Sequence, residues 1–456
     1  MRAKEVIEKR GEYNDSIMKK LARILALISA VFGIFALIHP PKGQKGGFFW
    51  LPKLWAGAWA PFLAIGGALG ALFGLLRGDV LSMLTGGFSA FAGFRHTVRV
   101  TTRRHDPFES AFGADWEQRI HPALWTRLSR PYELVQPAKP LGLYQKDFNI
   151  GETTPLYCDV WLPPSDVPRT RLGVIHLHGS WWQAVDKDFL VRPLFQRLVN
   201  QGHVVMDVAY SLAPSADIYK MMDDVKQSIA WMKEHCLVLN IDPDRIVLMG
   251  GSIGGGHLAL MAAYTPNFSE FQRRSIKTDT SVRGVISMYG VTDMAQYFHE
   301  YGRVVPGQPE YSSQVTAQMR PRVHNATWMD KFLTRSRAFP AYRYSNMPGG
   351  QALLLDLMGG TVNEIPHVYE RFSPITYADS QCPPTLQIFG ADDFAIDVSQ
   401  GRRLHHALQS AGVPSVYVEI PDTAHAFDQY FGVSRRIAPA AQMATNDIEQ
   451  FLALMV

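Results

Sequence analysis

The strongest chemical pattern in the sequence is a serine between glycines. Residues 250–254 read Gly-Gly-Ser-Ile-Gly, which fits the spacing G-x-S-x-G. An apolar run over 246–249 comes before this turn, and helix-forming residues over 255–263 follow it. Gly250 and Gly254 allow the sharp strand-to-helix turn that lifts a serine side chain above the edge of a sheet. An ordinary turn of small residues is the alternative, so the partners of Ser252 decide between the two.

Two later strand ends supply an acid and a base for this serine. A predicted strand over 385–389 leads to Asp392 and Asp393, and we expect Asp393 to be the acid because of its G-x-x-D spacing. His425 lies in the loop after the last predicted strand. The chain order Ser252, Asp393, His425 is the order of a Ser-Asp-His hydrolase site. We therefore predict that His425 takes the Ser252 proton and that Asp393 orients the imidazole.

A glycine-containing turn follows an earlier apolar run that ends at Leu177. This turn reads His178-Gly179-Ser180. Backbone N–H groups of Gly179 and Ser180, together with that of Ile253, are candidates for an oxyanion hole. Such donors work by facing a charge that develops only in the tetrahedral intermediate. A turn without chemistry is the alternative here as well.

From about Leu141 onward, short apolar segments alternate with helical ones. This alternation predicts a mostly parallel sheet with helices on both faces, and it places functional groups at the carboxyl ends of the strands. The predicted strands are 156–161, 172–177, 203–208, 246–249, 282–288, 385–389 and 416–419, and the predicted helices include 219–235 and 400–411.

The N-terminal region contains two long apolar segments. Residues 21–38 carry one charge, Arg23, and residues 54–76 carry none. Both approach the length of about 20 residues that crosses a bilayer. A cleaved signal peptide is the alternative for the first segment, but 20 residues precede it and no small-residue cleavage site follows. We expect an N-terminal transmembrane helical hairpin.

Small residues recur at every fourth position in both apolar segments, which predicts close packing between them. These residues are Ala22, Ala26 and Ala30 in the first segment and Gly66, Gly70 and Gly74 in the second.

The membrane side depends on a third, shorter segment over 80–94, which is a short span, a re-entrant piece or an interfacial helix. Basic residues favour the cytoplasmic side of a membrane. They cluster before the first span and again after residue 94. Two spans place both clusters on one side, whereas three spans separate them. The sequence favours two spans and a cytoplasmic catalytic domain.

The 456 residues therefore divide into an anchor over 1–105, a connector over 106–140 and a catalytic domain over 141–456. An aromatic-rich insertion over 294–366 either caps the site or packs its own small core. The net charge of +4 comes without a basic arm, which argues against nucleic-acid binding. The three cysteines are far apart, so neither a disulfide framework nor a structural zinc site is expected.

Residues from about 144 to 430 resemble the α/β-hydrolase esterases of the hormone-sensitive-lipase and carboxylesterase-like group, including its BD-FAE and kynurenine-formamidase-like branches. The matching stretches are VIHLHGSWW, AYSLAPSADIYKMMDDVKQSIAWMKEH, NIDPDRIVLMGGSIGGGHLALMAA, SPITYADSQCPPTLQIFGADD and PDTAHAF. The resemblance implies an α/β-hydrolase fold without metal or organic cofactor. It also implies a nucleophile, an acid and a base at Ser252, Asp393 and His425, with oxyanion donors at Gly179, Ser180 and Ile253.

Two positions depart from this group. Ser180 stands where the group usually has a second glycine, and Ile253 stands where alanine is frequent. Serine has fewer accessible backbone angles than glycine, and isoleucine is bulkier than alanine. Both changes bear on the range of substrates more than on the chemistry.

The resulting expectation is a membrane-anchored serine esterase that acts on a small-molecule or lipid-like carboxylic ester. A hydrophobic substrate, such as a prenylated or acylated one, would explain the anchor by partitioning into lipid. Amide or formamide hydrolysis on the same triad is one alternative. A non-catalytic binding protein on the same scaffold is the other, and it is disfavoured because no triad residue is missing.

Overall fold

The computed structural model describes residues 20, 23–42, 44–140, 142–151, 154–179, 182, 185–213, 215–272, 276–301, 354, 357–429 and 435–456. Ser180 and most of the insertion over 294–366 lie outside the described residues, so their predicted roles stay predictions.

One eight-stranded sheet forms the centre of the catalytic domain, with the order β1-β2-β4-β3-β5-β6-β7-β8. Strand β2 is antiparallel to both β1 and β4, and every other pairing is parallel. The strands are β1 (Leu143–Asn149), β2 (Tyr157–Leu162), β3 (Gly173–Leu177), β4 (Val204–Ala209), β5 (Ile246–Gly251), β6 (Gly284–Met288), β7 (Thr385–Gly390) and β8 (Ser415–Ile420).

The central strands β3, β5, β6 and β7 are buried at every residue, as expected of parallel strands covered on both faces. In the part of the chain that the structure describes, helices after β1 include α6 (Arg192–Gln201), α7 (Ile218–Glu234), α8 (Cys236–Leu239), α9 (His257–Tyr264), α10 (Met294–Tyr301), α11 (Pro366–Arg371), α12 (Ser399–Ser410) and α13 (Pro439–Met455). This mostly parallel sheet with its helices fits the α/β-hydrolase fold, and the seven predicted strands lie within two residues of the observed bounds.

Strand β1 was missed by the sequence analysis. Its sequence, LYQKDFN, is exposed at five of its seven positions and half-buried at the other two. An edge strand with so little apolar alternation gives no clear period of two. Only its pairing with β2 defines it as a strand.

The connector predicted over 106–140 has local structure of its own. It contains α4 (Pro107–Phe112) and α5 (Pro122–Trp125) with a 3-10 turn between them. Asp106 caps α4 by accepting a hydrogen bond from the Phe108 backbone N–H. Phe108 and Trp116 stack with ring centroids 4.8 Å apart and join the core of the catalytic domain. Phe108 lies in α4 and Trp116 in the separate 3-10 turn, so their burial comes from tertiary contacts and not from one helix face.

Among the described residues, three N-terminal helices precede the connector: α1 (Arg23–Leu37), α2 (Gln44–Arg77) and α3 (Val80–Thr101). Arg23 at the start of α1 pairs with Asp79 in the α2–α3 turn at 2.9 Å. At the opposite end, the Lys53 ammonium in α2 donates a hydrogen bond to the carbonyl of Ile38, just after α1. The helices therefore run alternately up and down between the same two ends.

Glycines of α2 and α3 pack closely against the partner helix, whereas the sequence predicted that glycines of the second apolar segment contact the first. A Cβ on Gly67 would lie 2.5 Å from the Ala90 nitrogen, and a Cβ on Gly86 would lie 2.5 Å from the Ala71 nitrogen. Gly66, one of the predicted packing residues, faces open space. The third segment was also underestimated, because α3 is a continuous helix of 22 residues rather than a piece ending at residue 94.

By length and composition, one described helix qualifies to cross a membrane: Gly46–Arg77, with a mean hydropathy of 1.8. Of its most apolar window, 22% is buried. Helix α1 is apolar but shorter.

Candidate active site

Ser252 directly follows the carboxyl end of β5, and a tight turn over Ser252–Gly256 leads into α9. The backbone of Ser252 has a φ of 60°, a left-handed conformation that a non-glycine residue adopts at an energetic cost. A Cβ on Gly250 would overlap the Gly255 backbone, and one on Gly254 would overlap the Tyr210 hydroxyl. Close backbone packing therefore requires a glycine at 250, and the Tyr210 hydroxyl leaves little room for a side chain at 254.

Ser252, His425 and Asp393 come together in the predicted order. The Ser252 Oγ lies 2.8 Å from His425 Nε2, and His425 Nδ1 lies 2.7 Å from Asp393 Oδ2. All three side chains are buried. An ionised carboxylate only accepts hydrogen bonds, so Nδ1 carries the proton and Nε2 is left to accept the serine hydroxyl. This is the tautomer in which an imidazole can remove a proton from the serine.

The neighbouring acids Asp392 and Asp393 have different partners. Asp393 Oδ1 accepts hydrogen bonds from the backbone N–H groups of Ala395 and Ile396, at 2.8 and 2.9 Å. These bonds hold the carboxylate so that Oδ2 faces His425. Asp392 points the other way, towards Lys53. The structure therefore brings Asp393, and not Asp392, to the histidine.

The predicted oxyanion residues lie beside the serine as far as the structure describes them. Gly179 lies very close to the turn that begins at Ser252. A Cβ on Gly179 would lie 2.9 Å from the Ser252 Cβ and 3.0 Å from the Gly251 carbonyl oxygen. Ile253 is fully buried. Ser180 lies outside the described residues.

His178 and Tyr210 brace this turn. Their rings stack at 4.4 Å, and the Tyr210 hydroxyl donates a hydrogen bond to the His178 carbonyl at 2.8 Å. Burial lowers the pKa of His178 and raises that of Tyr210, so both side chains stay neutral at physiological pH. His178 was expected as a motif residue, but Tyr210 was missed because a tyrosine at a strand end carries no distinctive spacing.

Tyr289, at the end of β6, was also missed. Its ring meets the His425 ring edge to face at 4.7 Å, and its hydroxyl donates to Asp428. Burial and the Asp428 carboxylate raise the pKa of Tyr289 far above its usual value. Asp428 is paired in turn with Arg435 at 3.1 Å. This network packs one side of the imidazole.

The N-terminal helices contact the two loops that carry the acid and the base. Trp50 Nε1 in α2 donates a hydrogen bond to the His425 carbonyl at 2.7 Å. Lys53 in α2 forms an ion pair with Asp392 at 2.9 Å. In α3, Arg99 forms an ion pair with Asp422 at 2.7 Å. From the sequence alone, basic residues such as Lys53 and Arg99 indicate only the side of the membrane.

His39, Asp392 and Asp422 place possible ligand atoms within 4.8 Å of one another. The carboxylates in this group are already neutralised, Asp392 by Lys53 and Asp422 by Arg95 and Arg99. Fixed cations at these oxygens would repel a metal ion. Ion pairing between the helices and the loops therefore accounts for this cluster.

Two family models match parts of the chain. The BD-FAE model matches residues 158–331, and the model of the prolyl oligopeptidase family matches residues 353–442. The first covers Ser252, and the second covers Asp393 and His425.

Curated relatives carry esterase names. The chain is 30% identical to Esterase LipQ of Mycobacterium tuberculosis over 287 residues, which are 62% of this chain and 57% of that protein. It is 28% identical to the probable carboxylic ester hydrolase LipM of the same organism, over 65% of this chain and 58% of that protein. Kynurenine formamidase of Danio rerio is 30% identical over 34% of this chain and 48% of that protein. The chain thus spans less than two thirds of these relatives' lengths.

A solved structure has the same fold as the catalytic domain. It is a truncated carbohydrate esterase from gut microbiota, with a TM-score of 0.50 and 18% identity over 70% of this chain and 99% of that one. The similarity supports the α/β-hydrolase fold and carries no statement about substrate.

Proposed function

We propose that this protein is a membrane-anchored serine hydrolase that cleaves carboxylic esters of hydrophobic molecules through Ser252, His425 and Asp393. The observation that carries the proposal is the continuous relay from the Ser252 hydroxyl through His425 to Asp393, with both links within hydrogen-bond distance. The esterase names of the relatives point to the same chemistry.

The reaction follows from this relay. His425 Nε2 takes the Ser252 proton as Oγ attacks the ester carbonyl, and Asp393 stabilises the imidazolium that forms. The oxyanion faces the backbone donors proposed at Gly179, Ser180 and Ile253. His425 then protonates the leaving alcohol, and water activated by the same imidazole releases the acid from the acyl-enzyme.

The proposal is tested with Ser252→Ala in purified full-length protein. Turnover of short p-nitrophenyl esters should fall by about 10³-fold or more, because no other group replaces the nucleophile. The melting temperature should stay close to that of the wild type. Undiminished turnover in the folded variant would remove Ser252 from the reaction.

Membrane anchoring is supported by a charge-free belt around the N-terminal bundle. The described residues between Arg23 and Lys42 in α1, between Lys53 and Arg77 in α2, and between Asp79 and Arg95 in α3 carry no Asp, Glu, Lys or Arg. Large apolar side chains face outward along this belt, for example Ile28, Phe73 and Phe91 at 50%, 56% and 59% exposure. Charges therefore lie only at the two ends of the bundle.

The belt is about 22 Å high, from the fifteen residues 80–94 at 1.5 Å per residue. A bilayer core of about 30 Å accommodates this height when Arg23 and Arg77 extend towards the headgroups. Since all three helices run between the same two ends, a bundle that crosses the membrane puts residues 1–20 and the catalytic domain on opposite sides. A three-helix crossing differs in this respect from the two-span topology, which favours a cytoplasmic catalytic domain.

We propose instead that the N-terminal basic residues are cytoplasmic, and that the catalytic domain lies on the other side. The basic residues near the catalytic domain are largely engaged with its carboxylates, whereas the N-terminal segment places six Lys and Arg residues before the first span. A protease-protection assay in sealed vesicles, with tags at each terminus, tests this. Tags on the same side would contradict the three-helix crossing.

Formamide hydrolysis is a second candidate, favoured by the match to kynurenine formamidase. Paired assays on an ester and an N-formyl arylamine of similar size separate the two. A kcat/KM for the formamide at least tenfold above that for the ester would favour this second reading.

A further inference from the structure

The helical bundle reaches the catalytic residues through α2. Its first turns pack on the loop after β7 that carries Asp392 and Asp393, here called the acid loop. A Cβ on Gly47 would lie 3.4 Å from the Phe394 ring in this loop. Phe394 directly follows Asp393, and its ring lies 6.1 Å from the Trp50 ring and 6.2 Å from the His425 ring. The Trp50 hydrogen bond to the His425 carbonyl joins the same helix to the loop after β8 that carries Asp422 and His425, here called the base loop.

The charge contact between Lys53 and Asp392 is buried on both sides, with side-chain exposures of 1% and 8%. The second Asp392 oxygen lies 2.7 Å from His39 Nδ1, and the Asp392 backbone N–H donates to the Thr423 carbonyl in the base loop. Asp392 therefore connects α2, the acid loop and the base loop. A buried carboxylate in this position needs its cation, because an unpaired buried charge is costly and would act on its neighbours.

We propose that Lys53 and Trp50 are positioning residues of the active site, so that the N-terminal bundle sets the geometry and charge of the triad as well as holding the protein at the membrane. Lys53 neutralises the carboxylate next to Asp393, and Trp50 fixes the main chain of His425. Neither residue touches the reacting atoms. This inference rests on the proposed function, since it presumes that the triad reacts.

The charge around His425 comes from several elements. Asp393 and Asp392 lie on the acid loop, with Lys42 bonded to the Asp393 carbonyl and Lys53 and His39 paired with Asp392. Asp422 on the base loop is paired with Arg95 and Arg99 from α3. Tyr289, Asp428 and Arg435 lie on the remaining side. Of Asp392 and Asp393, only Asp392 has its negative charge paired with a cation of α2, Lys53, among the described contacts.

The test uses full-length protein in detergent and a soluble p-nitrophenyl ester. Lys53→Met leaves Asp392 uncompensated near the imidazole, which favours the imidazolium. We expect kcat to fall about tenfold or more with KM within about threefold, and the acidic limb of the kcat/KM profile to move to higher pH by about half a unit or more.

Asp392→Asn is the matched opposite change. It leaves the Lys53 cation uncompensated, which disfavours the imidazolium, so the acidic limb should move to lower pH. The double variant Lys53→Met/Asp392→Asn removes both charges and should bring the limb back to within about 0.2 units of the wild type. Shifts of opposite sign that cancel are not produced by a merely structural role.

Trp50→Phe removes the indole N–H while keeping a ring against Phe394. We expect kcat to fall about three- to tenfold, the size of one neutral hydrogen bond, with an unchanged pH profile. Trp59→Phe on the same helix, where the side chain is 43% exposed, is the control and should keep the wild-type kcat.

Equal acidic limbs for Lys53→Met, Asp392→Asn and the wild type, with turnover still dependent on Ser252, would overturn the inference while leaving the proposed function intact. If Lys53→Met does not fold, Asp392→Asn and the double variant carry the test alone. Turnover that survives Ser252→Ala would contradict the proposed function itself, so the two failures are distinguishable.

Discussion

At the scale of single residues, the two neighbouring acids Asp392 and Asp393 differ in whether they contact His425. Asp393 receives two backbone N–H bonds on one oxygen and the imidazole on the other. Asp392 forms its contacts with His39 and Lys53 instead. Two adjacent, chemically identical side chains thus have different tasks because of the direction in which the loop presents them.

Asp393→Asn should lower kcat by about 10³- to 10⁴-fold while the protein stays folded. The amide keeps an oxygen for the Ala395 and Ile396 N–H groups, but its NH₂ group faces His425 Nδ1 and favours the unproductive tautomer. Steady-state ester hydrolysis measures the loss. A reduction below tenfold would mean that another carboxylate orients the histidine.

Gly179→Ala tests how closely the turn at Gly179 approaches Ser252. The added Cβ would lie 2.9 Å from the Ser252 Cβ, so the turn must move away from the serine. We expect a loss of kcat of about tenfold or more, since removing one oxyanion donor typically costs about 10²–10³. The fluorophosphonate labelling rate should fall in parallel. A labelling rate equal to that of the wild type would contradict this placement.

At the scale of elements, the bundle depends on glycine contacts between α2 and α3. Gly86→Leu should lower the melting temperature in detergent by several degrees, because its side chain would meet the Ala71 backbone. Gly87→Leu is the matched control: Gly87 faces open space on the same turn, and leucine is a better helix former than glycine. Equal melting temperatures for the two variants would disprove this packing.

The sequence predicted the strands before Ser252, Asp393 and His425 well because each is a largely buried strand, and parallel strands bring their carboxyl ends to one edge. It failed where function depends on contacts between distant segments. Lys53, Arg95 and Arg99 were interpreted only through membrane topology, yet they pair with Asp392 and Asp422, more than 300 positions away. Nothing in local spacing indicates such partners. The burial of Phe108 and Trp116 in the core was missed for the same reason.

At the scale of the whole molecule, buried neutral histidines link stability to pH. Burial lowers the pKa of His203 to about 3, with a smaller contribution from Arg127, and burial lowers that of His257 to about 4. Each stays neutral in the folded state, whereas the unfolded chain takes up protons below about pH 6.5. Their stabilisation is therefore complete above pH 6.5 and is lost as the pH falls towards about 4.

The melting temperature should accordingly fall between pH 7.5 and pH 5.0, with each of these histidines contributing about 1.4 kcal/mol per pH unit below pH 6.5. His203→Asn retains a polar partner for Thr170 but does not titrate, so the difference between the two melting temperatures should shrink. An unchanged difference in the variant would show that His203 is not buried in its neutral form.

The most direct test of the central claim is covalent labelling of the full-length protein with a fluorophosphonate, followed by mass spectrometry of the peptides. The relay from Ser252 through His425 to Asp393 predicts a single adduct on Ser252, formed rapidly in the wild type and lost or strongly slowed in His425→Ala. Folded protein that takes up no label, or that carries it on another residue, would contradict the assignment of Ser252 as the nucleophile.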